Sequence, residues 1–152
     1  MYTINPIAVI QNDRKDVLDD YWGNTITIIE LNEEYDEESL WGIDEFSHLE
    51  IIYYFDRVKD EKIQYGARHP RNNESYPRVG IFAQRGKNRP NKLGATIVKL
   101  VKVDRKKIYV SGLDAIDGTP VIDIKPIFQE FLPSEEIKQP SWSKEIMTDY
   151  WK

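Results

Sequence analysis

Leu93-Gly94-Ala95-Thr96-Ile97-Val98-Lys99-Leu100-Val101-Lys102-Val103 is followed by Asp104-Arg105-Lys106 and then by Lys107-Ile108-Tyr109-Val110. Two runs rich in β-branched residues, joined by a short charged turn, predict a long β-hairpin. Upstream lie further strand signals. Val79 to Ala83 is a short apolar run, and Leu49 to Phe55 reads as a mostly buried strand. Thr25 to Ile29 alternates threonine and isoleucine, as a strand with one exposed face does. Ile4 to Ile10 is apolar, with Pro6 near its start, which suits a first or edge strand.

Helical signals are fewer. Asp36-Glu37-Glu38-Ser39-Leu40-Trp41 offers an N-cap and an acidic first turn, predicting a short helix that ends near Gly42. Ser134-Glu135-Glu136 and Ser143-Lys144-Glu145 each predict the start of a short helix, separated by Pro140. Gly66 to Pro77, rich in Arg, Asn, Pro and Ser, reads as a long loop of the kind that carries function. Several short strands, one long hairpin and few helices predict an all-β, barrel-centred fold. Strands do not alternate with helices, and no Gly-x-Gly-x-x-Gly follows a strand, so a Rossmann nucleotide site is not expected. The expectation is one domain over 1–152, with 128–152 a C-terminal extension packed on the barrel.

Composition narrows the chemistry. The 152 residues are 40% hydrophobic and 12% aromatic, enough to bury a core. There is no cysteine, which excludes disulfides, thiolate metal sites and cysteine nucleophiles. His48 and His69 are the two histidines, and no group of three or four ligands at zinc spacing accompanies them, so no metal is expected. No apolar run is long enough to span a bilayer and no signal segment opens the chain, which predicts a cytoplasmic protein. The net charge of -5 hides an asymmetry: from Arg57 to Lys107, 15 Lys/Arg stand against 4 Asp/Glu. A basic middle in an acidic chain suggests a surface for phosphates, the alternative being a set of solvated lysines and arginines.

Two segments concentrate functional side chains. In Arg85-Gly86-Lys87-Asn88-Arg89-Pro90-Asn91-Lys92-Leu93-Gly94, the two arginines offer forked donors for carboxylates or phosphates. Pro90 and Asn91 set a turn and Gly94 permits close approach, which also describes an ordinary charged loop. In Ser111 to Pro126, Asp117-Gly118-Thr119-Pro120 is a strong turn signal. Asp114, Asp117 and Asp123 are free to hold ribose hydroxyls or an amino group, or simply to cap turns and pair with Lys125.

These segments occur in an order that is itself informative. Glu45-Phe46-Ser47-His48-Leu49 precedes the strand ending Tyr54-Phe55; Val79-Gly80-Ile81-Phe82-Ala83-Gln84-Arg85 and Arg89-Pro90-Asn91-Lys92-Leu93-Gly94 follow; Ser111 through Asp117-Gly118-Thr119-Pro120 to Lys125-Pro126 closes the series. Together they resemble the TsaA-like domain of the TrmO family of tRNA methyltransferases over roughly Ile7 to Ile127, in a short form without the family's extra C-terminal domain. The resemblance implies a small, typically dimeric β-barrel that uses S-adenosylmethionine to methylate the exocyclic N6 nitrogen of threonylcarbamoyl-adenosine in tRNA. It implies cofactor contacts at Asp56, Arg57, Arg85, Ala95, Ser111, Gly112, Leu113 and Asp114, with Arg89, Asn91 and Lys125 the expected substrate-binding residues. The sequence departs from the family at three places. Asp56 stands where histidine is usual. Asp19-Asp20-Tyr21-Trp22-Gly23-Asn24 replaces an early Pro-Arg-Gln motif, and Lys92-Leu93 replaces Pro-Ile.

Asp114 and Asp117 are the candidates for a general base, against ribose binding or turn capping. His48, just before an apolar strand, is expected to be structural, whereas His69 faces RNA or water. Tyr65 and Tyr76 offer faces for an unpaired base, or pack on the barrel. Trp22 and Trp41 are expected to fill core, unless one covers an adenine ring. Two alternatives to the methyltransferase remain open: a barrel that binds the cofactor without transfer, and a cofactor-free RNA-binding barrel.

Overall fold

Alternation dictates the core. In the strand His48–Tyr54 (β3), Leu49, Ile51 and Tyr53 are buried while the residues between them face outward, the two-residue period of a pleated strand with one face on a core. The same period runs through Ala8–Gln11 (β1), Ile26–Leu31 (β2), Leu93–Asp104 (β6) and Lys107–Ser111 (β7). With Pro120–Pro126 (β8), these strands close into a six-stranded antiparallel barrel in the order β1-β2-β7-β6-β3-β8. Its interior is filled by Ala8, Ile10, Ile29, Leu49, Ile51, Val98, Ile108, Val110 and Val121. The computed structural model describes residues 1–152.

The hairpin β6–β7 turns at Arg105, whose φ of 55° supplies the left-handed step of the turn. The barrel-centred all-β fold expected from the sequence is the fold observed. Local differences have local causes. β1 begins at Ala8 rather than Ile4, and the residues up to Pro6 are exposed and unpaired with the sheet. Val79 and Gly80 alone form a strand (β5), paired with Ala67–Arg68 (β4) inside the region read as a loop; Ile81–Ala83 is a 3-10 turn. The acidic segment near residue 37 forms two 3-10 turns, Glu37–Leu40 and Ile43–Glu45, instead of one helix, because Gly42 at φ 85° breaks the path between them. No helix starts at Ser134, where Pro133 and Pro140 bracket an exposed run; the one α-helix, Ser141–Ile146 (α1), follows Pro140. β8 itself was hidden behind the turn signals before it.

The topology sorts the connections between two barrel ends. At one end lie the loop 12–25, the long β3–β6 connection 55–92 and the β7–β8 loop 112–119; at the other lie 32–47, the β6–β7 turn and the exit from β8. No helix is long and apolar enough to cross a membrane.

Candidate functional site

Where β7 ends, Gly112 at φ 80° swings the chain across the barrel mouth. Leu113 and Ala115 point inward and are buried, which leaves Asp114 between them aimed at the mouth's rim. Its carboxylate is a hub. Oδ1 accepts the Tyr53 hydroxyl at 3.0 Å and the Thr96 hydroxyl at 2.5 Å, and Oδ2 accepts the Tyr150 hydroxyl. Tyr53 and Thr96 belong to the inward rows of β3 and β6, so the barrel itself presents two polar groups to one oxygen. Burial first, and the Asp114 charge second, push the Tyr53 and Tyr150 hydroxyls far above the ordinary tyrosine range, so both remain proton donors. Arg85 lies close enough to influence Tyr53, and its Nη2 donates to the Ala95 carbonyl at 2.6 Å.

A second group sits on the same loop. Asp117 Oδ1 accepts the Asn12 amide at 3.0 Å, and Oδ2 meets Lys15 Nζ at 3.2 Å. Arg57 donates to the Lys15 carbonyl at 3.2 Å and the Asp117 carbonyl at 3.3 Å, tying the β3–β6 connection to this corner. The Asn12 amide, then Lys15 and Arg57, hold the Asp117 carboxyl below the usual carboxylate range despite partial desolvation. Its folded pKa is depressed, so it adds stability above the unfolded value of 3.8 and loses it as pH falls below that value. The stability deficit of Asp117→Ala is therefore expected at pH 7 and should shrink toward zero as thermal melts are carried below about pH 4. A deficit independent of pH would show that the turn, not the charge, carries the effect.

The expected residues divide. Arg85, Ala95, Ser111, Gly112, Leu113 and Asp114 converge at one barrel end, and Arg57 joins them through Asp117. Asp56 is exposed beside Arg57. Arg89 turns inward on its own loop and donates to the Gln84 carbonyl at 2.6 Å, while Asn91 is exposed with φ 64°. Lys125 is elsewhere: it pairs with Asp123 at 3.1 Å, and the register sets it opposite Glu50, toward the other end of the barrel. Asp117 is committed to a loop tie, which counts against it as a base. His48 is exposed and contacts Ser47, whereas His69 bonds the Tyr76 carbonyl. Trp22 is buried, with the Arg14 guanidinium 3.8 Å from its ring centroid, but Trp41 is 79% exposed and fills no core, because the 3-10 turn before it already buries Leu40. Tyr65 is 76% exposed.

Tyr53, Thr96 and Tyr150 complete the cluster around Asp114, and the sequence reading did not single them out. Inward alternation of β3 and β6 carries the signal for the first two, since Tyr53 and Thr96 stand in rows that are otherwise apolar. Two open concavities lie elsewhere, one of about 540 Å³ lined by Gln11, Glu30, Glu33 and Glu34, the other of about 310 Å³ beside Trp41 and Arg105. Neither holds any residue of the Asp114 cluster, and the acidity of the first repels a phosphate chain. No group of three His, Asp or Glu side chains is arranged to hold a metal.

Comparison with known proteins places this geometry in context. Residues 20–131 match the family model described as the tRNA-methyltransferase O N-terminal domain. The chain is 38% identical over 104 residues to a human tRNA (adenine(37)-N6)-methyltransferase, covering 68% of this chain and 23% of the relative. It is 33% identical over 138 residues to a probable S-adenosyl-L-methionine-binding protein of Methanocaldococcus jannaschii, covering 90% of this chain and 100% of the relative. The chain thus spans under a quarter of the length of the human relative it matches. A crystal structure of TrmO from Pseudomonas aeruginosa superposes with a TM-score of 0.75 at 22% identity, over 93% of this chain and 62% of that one, a likeness of fold.

Proposed function

The chain belongs to the tRNA-methyltransferase O N-terminal domain family, and from that membership we propose that it binds S-adenosylmethionine at the Asp114 end of the barrel and methylates an adenosine of tRNA. The finer reading takes N6 of threonylcarbamoyl-adenosine as the acceptor, in a cytoplasmic homodimer. The observation that carries it is convergence: Arg85 from the β3–β6 connection, Ala95 from β6, and Ser111 to Asp114 from the end of β7 and the loop after it meet at one barrel end.

The donor set suits this cofactor. A carboxylate such as Asp114 accepts from ribose hydroxyls or an α-ammonium, and the Arg85 fork suits an α-carboxylate. A Cβ added to Gly112 would meet nothing within 4 Å, so the backbone there borders space open to a ligand. When bound, the cofactor supplies an electrophilic methyl group on sulfur. The chain's part is to hold donor and acceptor in line, which by itself lowers a barrier greatly. The β3–β6 connection, with exposed Lys59, Lys62 and Arg78, rises at the same end and suits tRNA phosphates. Outward from β6, exposed Leu93, Ile97 and Val101 suit a second copy.

One observation favours the reading of a cofactor-binding barrel without transfer. Asp114 already accepts three hydroxyls and Asp117 is held in a loop tie, so neither is placed to take a proton from the acceptor nitrogen. In the transfer reading that proton passes to solvent.

Calorimetric titration with S-adenosylmethionine is expected to give binding in the micromolar range, weakened in Arg85→Ala by tenfold or more, about the worth of a charge-assisted hydrogen bond. No binding by the folded protein, nor by folded variants in which the Tyr150 contact to Asp114 is removed, would overturn the reading. Transfer of labelled methyl to tRNA from a strain lacking the modification, present or absent, then separates the enzyme from the binder.

A further inference from the structure

The C-terminal segment does something that the barrel does not require. β8 leaves the barrel at the end opposite Asp114, yet the chain returns. Residues 128–141 are all exposed along the way, and α1 with the turn after it brings Tyr150 back to the site. There the Asp149 carbonyl accepts the Tyr21 amide at 3.0 Å and the Tyr150 carbonyl accepts the Trp22 amide at 2.8 Å. The Tyr150 hydroxyl donates to Asp114 Oδ2. Gly23 lets the strap approach closely, since a Cβ there would stand 1.9 Å from the Trp151 carbonyl oxygen.

The two oxygens of Asp114 are treated differently. Oδ1 is filled by Tyr53 and Thr96, both from barrel strands. Oδ2 has one side-chain partner, and it comes from the strap. Without the strap this oxygen would await a hydrogen-bond donor from outside the barrel. A ribose hydroxyl or an ammonium is such a donor, and a tyrosine hydroxyl has the same hydrogen-bonding character. The strap also consumes the backbone amides of Tyr21 and Trp22, in the loop 12–25 at this end of the barrel.

We propose that residues 147–151 form an autoinhibitory strap in which Tyr150 holds the place of a cofactor hydroxyl or amine on Asp114, so that S-adenosylmethionine and the strap compete for one site. This rests on the cofactor reading given above. The strap is built to leave. Its hold consists of two backbone hydrogen bonds, one hydroxyl–carboxylate bond and local packing, and the run leading to it is exposed and interrupted by Pro133 and Pro140. Segments with few buried contacts open at far lower free energy than the core around them. While the strap is closed, the apparent affinity for the cofactor is reduced by the fraction of molecules that are open.

The test uses the full chain, Tyr150→Phe and Gly23→Ala. The first removes the competing hydroxyl; the second pushes the Trp151 carbonyl away without changing the strap's own side chains. Both are expected to bind S-adenosylmethionine more tightly than the parent, by roughly tenfold, the fold-change of one charge-assisted hydrogen bond removed from the competitor. In the parent, adding the cofactor is expected to speed hydrogen exchange at the Tyr21 and Trp22 amides, which the strap protects. Binding by the parent that is unchanged or weakened in both variants, with exchange at these amides unaffected, would overturn the strap and leave the cofactor site standing. Absence of binding in all three folded proteins would overturn the cofactor reading and the competition with it.

Discussion

Replacing Asp114 with alanine is expected to destabilise the protein by about 3 kcal/mol: the buried Thr96 hydroxyl loses its acceptor, at about 1–3 kcal/mol, and the Tyr53 hydroxyl keeps only its longer bond to the residue 114 carbonyl, 3.3 Å away. Tyr53 is 2% exposed and Thr96 8% exposed, and neither can turn to water without leaving the barrel. For a chain of this length, a loss of that size lowers the melting temperature by roughly 6–12 °C. Asp114→Asn retains a carbonyl oxygen where Oδ1 stands, so it is expected to recover about half of the loss, while still failing to bind S-adenosylmethionine. Thermal melts of the two variants decide the matter. A shift below about 2 °C for alanine would mean that Asp114 is a ligand-facing group with no part in holding the barrel mouth together.

Gly94→Ala is the second large effect. The register pairs Gly94 with Tyr53 on the inward face, and a Cβ there would lie 2.5 Å from Tyr53 Cζ and 2.6 Å from Cε2. The ring cannot retreat easily. Its hydroxyl is fixed to Asp114 at 3.0 Å, and its edge packs against Phe55 with centroids 5.3 Å apart. Overpacking of this kind costs about 1–3 kcal/mol, and the displaced hydroxyl adds to it. A destabilisation of about 3 kcal/mol is therefore expected, with cofactor affinity falling in step because Asp114 loses its orientation. The pair Gly94→Ala with Tyr53→Leu should be less destabilised than the sum of the two single changes, since the smaller side chain makes room. Strict additivity in denaturant titrations would show that the contact is relieved by a backbone shift instead.

The β6–β7 hairpin was readable because its evidence is local: two β-branched runs and a charged turn between them. β8 was not, because Asp117-Gly118-Thr119-Pro120 announces a turn so strongly that the strand behind it, broken by Asp123 and Lys125, looked like more of the same. Pro120 opens that strand, where a missing N–H costs little. Of the site, the residues drawn together by resemblance do converge, but their supports could not be read. Tyr53 and Thr96 meet Asp114 across 61 and 18 positions, and Tyr150 does so across 36. Arg89 and Lys125 looked like ligands because a forked or single cation suits a phosphate. In the structure Arg89 braces the Gln84 carbonyl and Lys125 pairs within its own strand, contacts that composition does not reveal.

The closing pair of the barrel sets a schedule for how the protein comes into being. β1 lies between β2 and β8, so one of its edges is satisfied by residue 31 while the other awaits residues 120 and 121. β3 likewise meets β6 and β8 only after long intervals. During synthesis at about 5–20 residues per second, the first strand therefore spends several seconds with an open edge before its last neighbour exists. Structures dominated by such distant pairings fold slowly and are vulnerable to intermolecular strand addition meanwhile. Nascent chains halted before residue 120 lack the strand that seals the cylinder, and are expected to engage chaperones and to aggregate where those halted after Pro126 do not.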